Sequence, residues 1–347
     1  MSIFRSPNNP IILPQNVKPS RSDFEVVCVF NAGVIRYDGD VLLLLRVAEK
    51  PINNNENIEL VPVYDIDADK VIVKEFSKDN PEIDFSDSRF VRTPTEQYLS
   101  SLSHARLARS KDGIHFEVEE QPALMPANEY ESFGVEDTRI TFLNDNYYIT
   151  YSAVSPLGSM ISLASTQDFC TYERHGIIFC PDNRDVEIFP EKINGKYYAL
   201  HRPNSGEYNK REIWIAESND LISWGNHRRV MGVRENFWDS GRVGGSAIPF
   251  RVEGGWLEIY HGADKNDRYC LGAVLLDANE PWKVLVRSKY PIIEPEMDYE
   301  VNGFFGNVIF NCGVLSEGDL IKIYYGAADT CICYAEIALT DILKGLQ

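Results

Sequence analysis

Residues 143–154 read LNDNYYITYSAV, a polar Asn–Asp–Asn turn followed at once by aromatic and β-branched residues. Turn residues in front of such a run predict the second strand of a β-hairpin. Four further segments repeat this pattern of a turn and an apolar strand: YDGDVLLLLRVA (37–48), INGKYYALHRP (193–203), EGGWLEIYHGA (253–263) and SEGDLIKIYYGAAD (316–329). The chain is therefore predicted to be all-β and to consist of five similar units.

A second element follows four of these strands and sets the length of the repeat. It contains a small residue, a Ser or Asp, a turn and an aromatic residue: ARSKDGIHFE (108–117), ASTQDFCTYE (164–173), AESNDLISWG (216–225) and LLDANEPWKV (275–284). Its aspartates, at 112, 168, 220 and 277, are 56, 52 and 57 residues apart. A strand-rich period of this length predicts a five-bladed β-propeller, a single domain over residues 1–347 with its active site in a central channel. A β-helix would have a shorter period, and a pair of β-sandwiches would not give five equal units.

Two segments depart from the repeat. Residues 50–100 interrupt the first unit and are rich in Asn, Asp and Glu. We expect this insertion to form a long loop or an extra hairpin over one end of the domain. The last unit ends in ALTDILKGL, which predicts a short helix at about 339–346.

Composition and charge narrow the classes of function. The 347 residues include 34 basic and 52 acidic side chains, a net charge of −18. This balance argues against nucleic acids and membranes as partners, because both require a basic surface. No apolar run approaches the roughly 20 residues of a membrane-spanning helix, and the start, MSIFRSPNNP, lacks the apolar stretch of a signal peptide. We therefore expect a cytoplasmic protein, and the scattered cysteines predict no metal site.

Aligning the five units brings polar residues to one depth of the predicted channel. The second strand of each unit contributes one residue at this depth: Arg46, Ser152, Arg202, His261 and Gly326. The preceding strands add Asn31, Glu136–Asp137, Glu191–Lys192, Ser246 and Asn311, and Asp329 closes the fifth unit. Ions are rare inside strands unless they are paired or functional. A single arginine could equally tie two blades together, but the ring as a whole predicts a pocket for a carbohydrate and an anion such as phosphate.

Several stretches resemble one known family. GVEDTRIT (134–141) is similar to the E-D-P-R-[IV]-T signature of glycoside hydrolase family 130, the mannoside phosphorylases and their hydrolase relatives. Further blocks match in the same order: NAGVIRYDGDVLLLLRVAE (31–49), RDVEIFPEKINGKYYALHRP (184–203), GGWLEIYHG (254–262) and IYYGAADT (323–330). The resemblance runs from about residue 8 to residue 340 and implies a five-bladed propeller, as the repeat does. It is strongest to the branch that acts on β-1,2-linked mannobiose and short mannooligosaccharides.

This resemblance implies an inverting phosphorolysis. Inorganic phosphate would attack C1 of the terminal mannosyl unit and give α-mannose 1-phosphate and a shortened acceptor. Asp137 matches the catalytic acid, whose proton passes through the 3-hydroxyl of the bound mannosyl group. One protein carboxylate is enough, because phosphate replaces the base and the water of an inverting hydrolase. No cofactor is implied, since phosphate is a co-substrate.

The resemblance also implies two sets of binding residues. The substrate-binding set is Asn31, Arg46, Glu136, Arg139 and Asp329. The phosphate-binding set is Arg184, Arg202, Arg251, His261 and Tyr269, with Arg242 as a further candidate for phosphate or acceptor contact. The sequence departs from the family pattern where Thr138 replaces a proline, and where Arg251 replaces the lysine of a P-I-K-T block.

Other functions remain open from the sequence alone. They are a β-1,2-mannosidase of the same family, a β-1,4-mannosyl phosphorylase and a non-catalytic sugar-binding propeller. A hydrolase would need carboxylates where the basic residues stand, with a gap for water between acid and base. Linkage and chain length depend on the insertion and on the loop 238–246, and a homo-oligomer is compatible with the sequence.

Overall fold

The prediction of an all-β protein is confirmed. The computed structural model describes residues 2–208 and 210–346, and strands make up nearly all of their regular structure. Within these residues, five antiparallel meanders follow one another along the chain. Each meander begins with one of the hairpins that the repeated turns predict.

The first meander contains the insertion. β1 (Ile3–Arg5) precedes this meander in the chain and belongs to the fifth sheet. The first meander consists of β2 (Phe24–Tyr37), β3 (Asp40–Pro51), β8 (Leu102–Ser110) and β9 (Glu117–Val118), which pair in that order. Between β3 and β8 the insertion forms two hairpins, from β4 (Ile58–Asp65) with β5 (Lys70–Ser77) and from β6 (Phe90–Arg92) with β7 (Gln97–Leu99). These hairpins pack on the second meander through an apolar cluster that includes Val61, Tyr98, Phe133 and Val154.

The other four meanders have the same plan. The second consists of β10 (Gly134–Leu143), β11 (Asn146–Ser155), β12 (Gly158–Thr166) and β13 (Glu173–Phe179). The third consists of β14 (Asn183–Ile188), β15 (Tyr197–Ser205), β16 (Lys210–Arg211), β17 (Ile213–Ser218) and β18 (Trp224–Met231). The fourth consists of β19 (Arg242–Gly245), β20 (Phe250–Val252), β21 (Gly255–Ala263), β22 (Tyr269–Asp277) and β23 (Val284–Arg287). The fifth consists of β24 (Ile309–Glu317), β25 (Leu320–Ala327) and β26 (Cys331–Ala338), and β1 pairs with β26 as its outer strand.

Helical structure in the described residues is short. It comprises α1 (Asp298–Val301), α2 (Leu339–Gly345) and the 3-10 turns Pro14–Asn16 and Glu129–Glu131. Among the described helices, none has the length and apolar character needed to cross a membrane.

The recurring aspartates fold the same turn in four meanders. Asp112, Asp168, Asp220 and Asp277 each accept hydrogen bonds from the backbone N–H groups two and three residues ahead, at 2.7 to 2.9 Å. This Asx turn ends the third strand of the meander and leads into the fourth. The regular spacing of these aspartates therefore reflects the similar lengths of successive meanders.

Apolar clusters join each meander to the next. Pairs of buried residues from successive meanders illustrate this: Leu44 with Ile149, Ile161 with Ile188, Phe189 with Trp256, Ile259 with Ile323, and Tyr324 with Leu43. The last pair joins the fifth meander to the first. Because burial of apolar surface is the main stabilising contribution to a fold, this cyclic packing holds the first hairpins of all five meanders at fixed positions.

The first hairpins share one register. The cross-strand pairs at equivalent positions are Phe30–Arg46, Glu136–Ser152, Arg184–Arg202, Gly244–His261 and Phe310–Gly326. In the first three meanders a β-bulge follows, and its first residue has a left-handed backbone: φ is 47° at Asn31, 50° at Asp137 and 55° at Asp185. Asn and Asp tolerate this conformation better than most residues, and a bulge redirects the side chain it carries.

This register corrects two of the predicted equivalences. Arg184–Asp185 occupies the place that the sequence alignment gave to Glu191–Lys192, and Gly244–Gly245 the place given to Ser246. The third hairpin is longer, because residues 190–192 lie between its last regular backbone bond and its turn. An alignment that counts residues back from the turn therefore reaches Glu191–Lys192 and not the equivalent Arg184–Asp185.

Candidate active site

A cavity of about 630 Å³ lies where the first hairpins of the five meanders meet. This volume is within the range of small-molecule sites, about 300 to 1,000 Å³. Ten of the predicted site residues line it: Asn31, Arg46, Glu136, Asp137, Arg184, Arg202, Arg242, His261, Tyr269 and Asp329. The insertion contributes further lining residues, among them Arg89 and Phe90.

Asp137 lies in the wall of the cavity, with 8% of its surface exposed. Its Oδ1 accepts hydrogen bonds from Asn31 Nδ2 and from Arg46 Nη1, both at 3.0 Å. Burial raises the pKa of Asp137, but Arg46, Asn31 and Arg139 together outweigh burial and lower it. These contacts therefore favour the ionised carboxylate. Protonation of Asp137 requires a bound ligand that offsets the effect of Arg46.

Arg46 connects Asp137 with a second carboxylate. Its Nη2 donates to Glu136 Oε1 at 2.7 Å and its Nε to Ser103 Oγ at 3.0 Å. Arg184 Nη1 lies 3.3 Å from the other oxygen of Glu136. Glu136, which is 3% exposed, thus fixes one arginine beside Asp137 and a second arginine further along the wall.

His261 and Arg202 converge on Asp185. Arg202 Nε lies 2.6 Å and His261 Nε2 3.7 Å from Asp185 Oδ2. Burial, with Arg202 and Arg139, lowers the pKa of His261 to about 3 in spite of Asp185. The imidazole is therefore neutral; Ser246 Oγ lies 3.1 Å from its Nδ1, and Nε2 has no hydrogen-bond partner among the described residues.

A further basic group lies between the third and fourth meanders. Arg242 Nη1 donates to Tyr269 Oη at 2.7 Å, and its Nη2 pairs with Asp267. Burial, with Arg242 and Arg202, lowers the pKa of Arg211, which also lines the cavity. Guanidinium groups that disfavour one another's charge form a region in which an anion is stabilised.

Asp329 faces Asp137 from the fifth meander. Its backbone is left-handed, with φ of 48°. Burial raises the pKa of Asp329 to about 7, and Asp137 contributes in the same direction while Arg46 opposes it. Close to neutral pH this side chain can therefore donate or accept a hydrogen bond.

The insertion and the fifth meander approach each other at the cavity rim. The guanidinium of Arg89 lies 4.7 Å from the centre of the Phe305 ring and 5.4 Å from that of Phe90. Asp87 holds the guanidinium in place through hydrogen bonds of 2.8 and 3.0 Å. Aromatic faces and a charged edge at the mouth of a cavity are suited to the apolar and hydroxyl faces of a sugar.

Two predicted residues do not reach the cavity. Arg139 is 2% exposed and is enclosed by protein; it pairs with Asp185 and Glu187. Arg251 lies on β20 at the surface, where it pairs with Glu191 at 2.7 Å and stacks on Trp256. The sequence placed both among ligand-binding residues, and the structure corrects this because one side chain is buried behind the wall and the other points to solvent.

Sequence reasoning also missed other lining residues, among them Asp185 and Arg211. Asp185 occupies the same bulge as Asn31 and Asp137, and the shared pattern of a polar residue three positions before an aliphatic one could have revealed it. Arg211 lies on the short strand β16, which has no counterpart in the other meanders, so the repeat gave no signal for it. Within the part of the chain described, no group of three or more His, Cys, Asp or Glu side chains is arranged to hold a metal ion.

The chain is similar to several known proteins over most of its length. A model of glycoside hydrolase family 130, described as beta-1,4-mannooligosaccharide phosphorylase, matches residues 80–347. The β-1,2-mannobiose phosphorylase of Listeria innocua is 50% identical, over 100% of this chain and 99% of its own. A 1,2-β-oligomannan phosphorylase of Thermoanaerobacter is 40% identical over 72% of this chain and 83% of its own. The solved structure of the Listeria innocua enzyme in complex with β-1,2-mannobiose superposes with a TM-score of 0.97 and covers 100% of this chain and 99% of that chain.

Proposed function

Because the chain belongs to glycoside hydrolase family 130, we propose that its cavity carries out the phosphorolysis of a β-mannosidic bond, with β-1,2-mannobiose or a short β-1,2-mannooligosaccharide as substrate. The products are α-mannose 1-phosphate and a shortened acceptor. One observation carries the proposal: Asp137 stands in the same cavity as a group of arginines, Arg202, Arg211 and Arg242, that lies beyond its own partners. An anionic co-substrate accounts for that group, and a hydrolase has no need of it.

The sugar side of the site is formed by the first, second and fifth meanders. Asn31 and Arg46 hold the Asp137 carboxylate and border the space in front of it, while Asp329 faces it. Glu136 orients Arg46. We assign to these groups the hydroxyls of the mannosyl unit whose bond breaks.

The phosphate side is formed by the third and fourth meanders. Arg184, Arg202, Arg242, His261 and Tyr269 line it, and we add Arg211 to this set. Arginine suits this role, because its planar fork donates two parallel hydrogen bonds to phosphate oxygens. The neutral His261 leaves Nε2 without a protein partner, so it is free to bond a phosphate oxygen or hydroxyl.

The reaction follows from this division. A phosphate oxygen attacks C1 from the face opposite the leaving group, so the new C1–O bond forms as the glycosidic C1–O bond breaks, with inversion. Asp137 supplies the proton that the departing oxygen takes up, passed through the 3-hydroxyl of the mannosyl unit as the family resemblance implies. Phosphate brings negative charge towards Asp137, which opposes the effect of Arg46 and favours the protonated acid. Binding of the co-substrate thus prepares the acid.

We also infer that the five meanders form a five-bladed β-propeller and that residues 1–347 are one domain. The cyclic sequence of apolar clusters and the common register of the first hairpins support this architecture. The cavity then lies on the propeller axis, where equivalent positions of all blades converge. The insertion covers the cavity from one side.

A product assay tests the proposed function. The protein is incubated with β-1,2-mannobiose, with and without inorganic phosphate, and with β-1,4-mannobiose as the matched substrate control. We expect mannose 1-phosphate only when phosphate and the β-1,2 substrate are both present. Equal release of mannose with and without phosphate would instead indicate a β-1,2-mannosidase. Phosphorolysis of β-1,4-mannobiose but not of β-1,2-mannobiose would indicate a β-1,4-mannosyl phosphorylase. Asp137→Asn should bind β-1,2-mannobiose and turn it over far more slowly than the parent.

A further inference from the structure

Two buried glutamates meet behind the wall of the cavity. Glu187 on β14 and Glu258 on β21 are both 0% exposed and come from neighbouring meanders. The Ser246 N–H donates to Glu258 Oε1 at 3.1 Å, and Arg139 Nε lies 3.4 Å from Glu187 Oε1. Both Glu187 oxygens and Glu258 Oε2 nevertheless have no hydrogen-bond donor among the described residues. Buried carboxylate oxygens without donors are costly, so these three atoms require an explanation.

The charges around this pair do not balance if both glutamates are ionised. The groups that face it are Arg139 from β10, Asp185 from β14 and the Cys312 thiol from β24, with Arg202 paired to Asp185. Two arginines against three carboxylates give 2 − 3 = −1, and the two glutamates themselves are 0% exposed. One proton on the pair brings the sum to zero. Burial, and for Glu187 the neighbouring Glu258, raises the pKa of both carboxyl groups well above the usual range.

We propose that Glu187 and Glu258 share one proton in an O–H···O hydrogen bond, and that the singly charged pair is a positioning device for Arg139. The proton serves two of the three orphaned oxygens, one on each carboxyl group. The fourth meander leaves room for the pair by having glycine at 245, since a Cβ there would overlap both Glu187 carboxylate oxygens. Carboxyl pairs that cannot both ionise are known to hold one proton between them.

Arg139 transmits this arrangement to the reaction site. Its Nη1 donates to the backbone carbonyl of Asp137 at 3.1 Å, and its Nη2 to Asp185 Oδ1 and to the Gly245 carbonyl, both at 3.1 Å. One guanidinium therefore joins the strand that carries the acid to the carboxylate that holds Arg202. The positioning role rests on the proposed function of Asp137, whereas the shared proton does not.

The shared proton is tested by stability with Glu258→Gln. The amide oxygen can accept from the Ser246 N–H while the amide nitrogen donates to Glu187, so Gln reproduces a protonated carboxyl. The matched control is Glu300→Gln, also 0% exposed, whose oxygens accept from Arg5, Tyr325 Oη and two backbone N–H groups. We expect the Tm of Glu258→Gln to stay within about 2 °C of the parent and that of Glu300→Gln to fall by roughly 5 °C or more. A fall in Glu258→Gln as large as in the control would overturn the proposal, whatever the activity of the protein.

The positioning role is tested by combining two substitutions. Glu187→Gln and Glu258→Gln each leave one negative charge on the pair and should each keep at least about a third of the parent kcat. The double variant leaves none, so Arg139 loses a counter-charge; we expect kcat to fall by roughly tenfold or more, with KM for mannobiose changed less than about threefold. Additive effects, or a loss confined to KM, would refute the positioning role. Absence of phosphorolysis in the parent protein would instead refute the proposed function and leave the stability result standing.

Discussion

Replacing Asp185 by Asn tests how far buried charge holds the candidate site together. This carboxylate is 3% exposed and faces Arg202 at 2.6 Å and Arg139 at 3.1 Å. Asn has nearly the same size and also tolerates the left-handed backbone at this position, where φ is 55°. The substitution therefore removes the charge and little else.

The size of the effect follows from the titration of this group. Burial opposes ionisation, but the neighbouring groups, Arg202 foremost, outweigh it and hold the pKa of Asp185 at about 2, against 3.8 ordinarily. A difference of about 1.8 pKa units corresponds to about 2.4 kcal/mol, and removing one partner of a buried pair typically costs about 3 to 5 kcal/mol. We expect the free energy of unfolding at pH 7 to fall by about 2 to 4 kcal/mol. Because the folded pKa is lowered, this contribution is fully present above about pH 4 and is lost as the pH falls towards 2.

Urea unfolding of the parent and Asp185→Asn, at pH 7 and at intervals down to pH 3, measures this difference. Asp145→Asn is the matched control, because Asp145 has a similar φ of 58° but lies in an exposed turn. Its effect should stay within about 0.5 kcal/mol. The reasoning is refuted if Asp185→Asn unfolds at the same urea concentration as the control, or if the gap between parent and variant widens on acidification.

Four further substitutions probe the site. Asp137→Asn should lower kcat by about 10² to 10⁴ and leave mannobiose binding intact; initial rates and calorimetry check this, and full activity would remove Asp137 from its role. Arg242→Ala should raise KM for phosphate about tenfold through loss of a charge-assisted bond of at least about 1.4 kcal/mol, whereas Arg251→Ala should leave that KM unchanged, because Arg251 lies outside the cavity. Equal effects of the two would contradict the corrected phosphate set. Because the pKa of Asp329 is raised to about 7, the parent should lose stability as the pH rises from about 4 towards 7, and Asp329→Asn should not. Thermal unfolding at pH 5 and pH 8 checks this, and an equal change of Tm with pH in parent and variant would contradict it.

The sequence was sufficient to predict an all-β fold of repeated units, because turn residues mark the repeat. Asp112, Asp168 and Asp220 recur at nearly constant spacing, and each folds the same Asx turn. The equivalence of Arg46, Arg202 and His261 could also be predicted, since the hairpin turns that precede these residues fix the register.

The errors have physical causes at particular residues. Asp185 was missed because the third hairpin carries additional residues before its turn, which a spacing rule cannot detect. Arg251 was assigned to phosphate from its place in a family block, but its side chain is exposed and pairs with Glu191, and exposure depends on packing that the motif does not encode. Arg139 is of a residue type that often binds ligands, but it is enclosed by two carboxylates of the third meander and two backbone carbonyl groups of the fourth.

The pairing of β1 with β26 has a consequence for the order of events during biosynthesis. Ile3 pairs with Ile337 and Arg5 with Ala335, so the fifth sheet joins strands that lie far apart in the chain. This pairing cannot form until β26 has been synthesised, and β1 keeps both of its edges unpaired until then. Such an edge can recruit strands from other nascent chains, and contacts between such distant residues form slowly. The earlier meanders can begin to assemble during translation, whereas the fifth sheet is completed only after β26 has been synthesised.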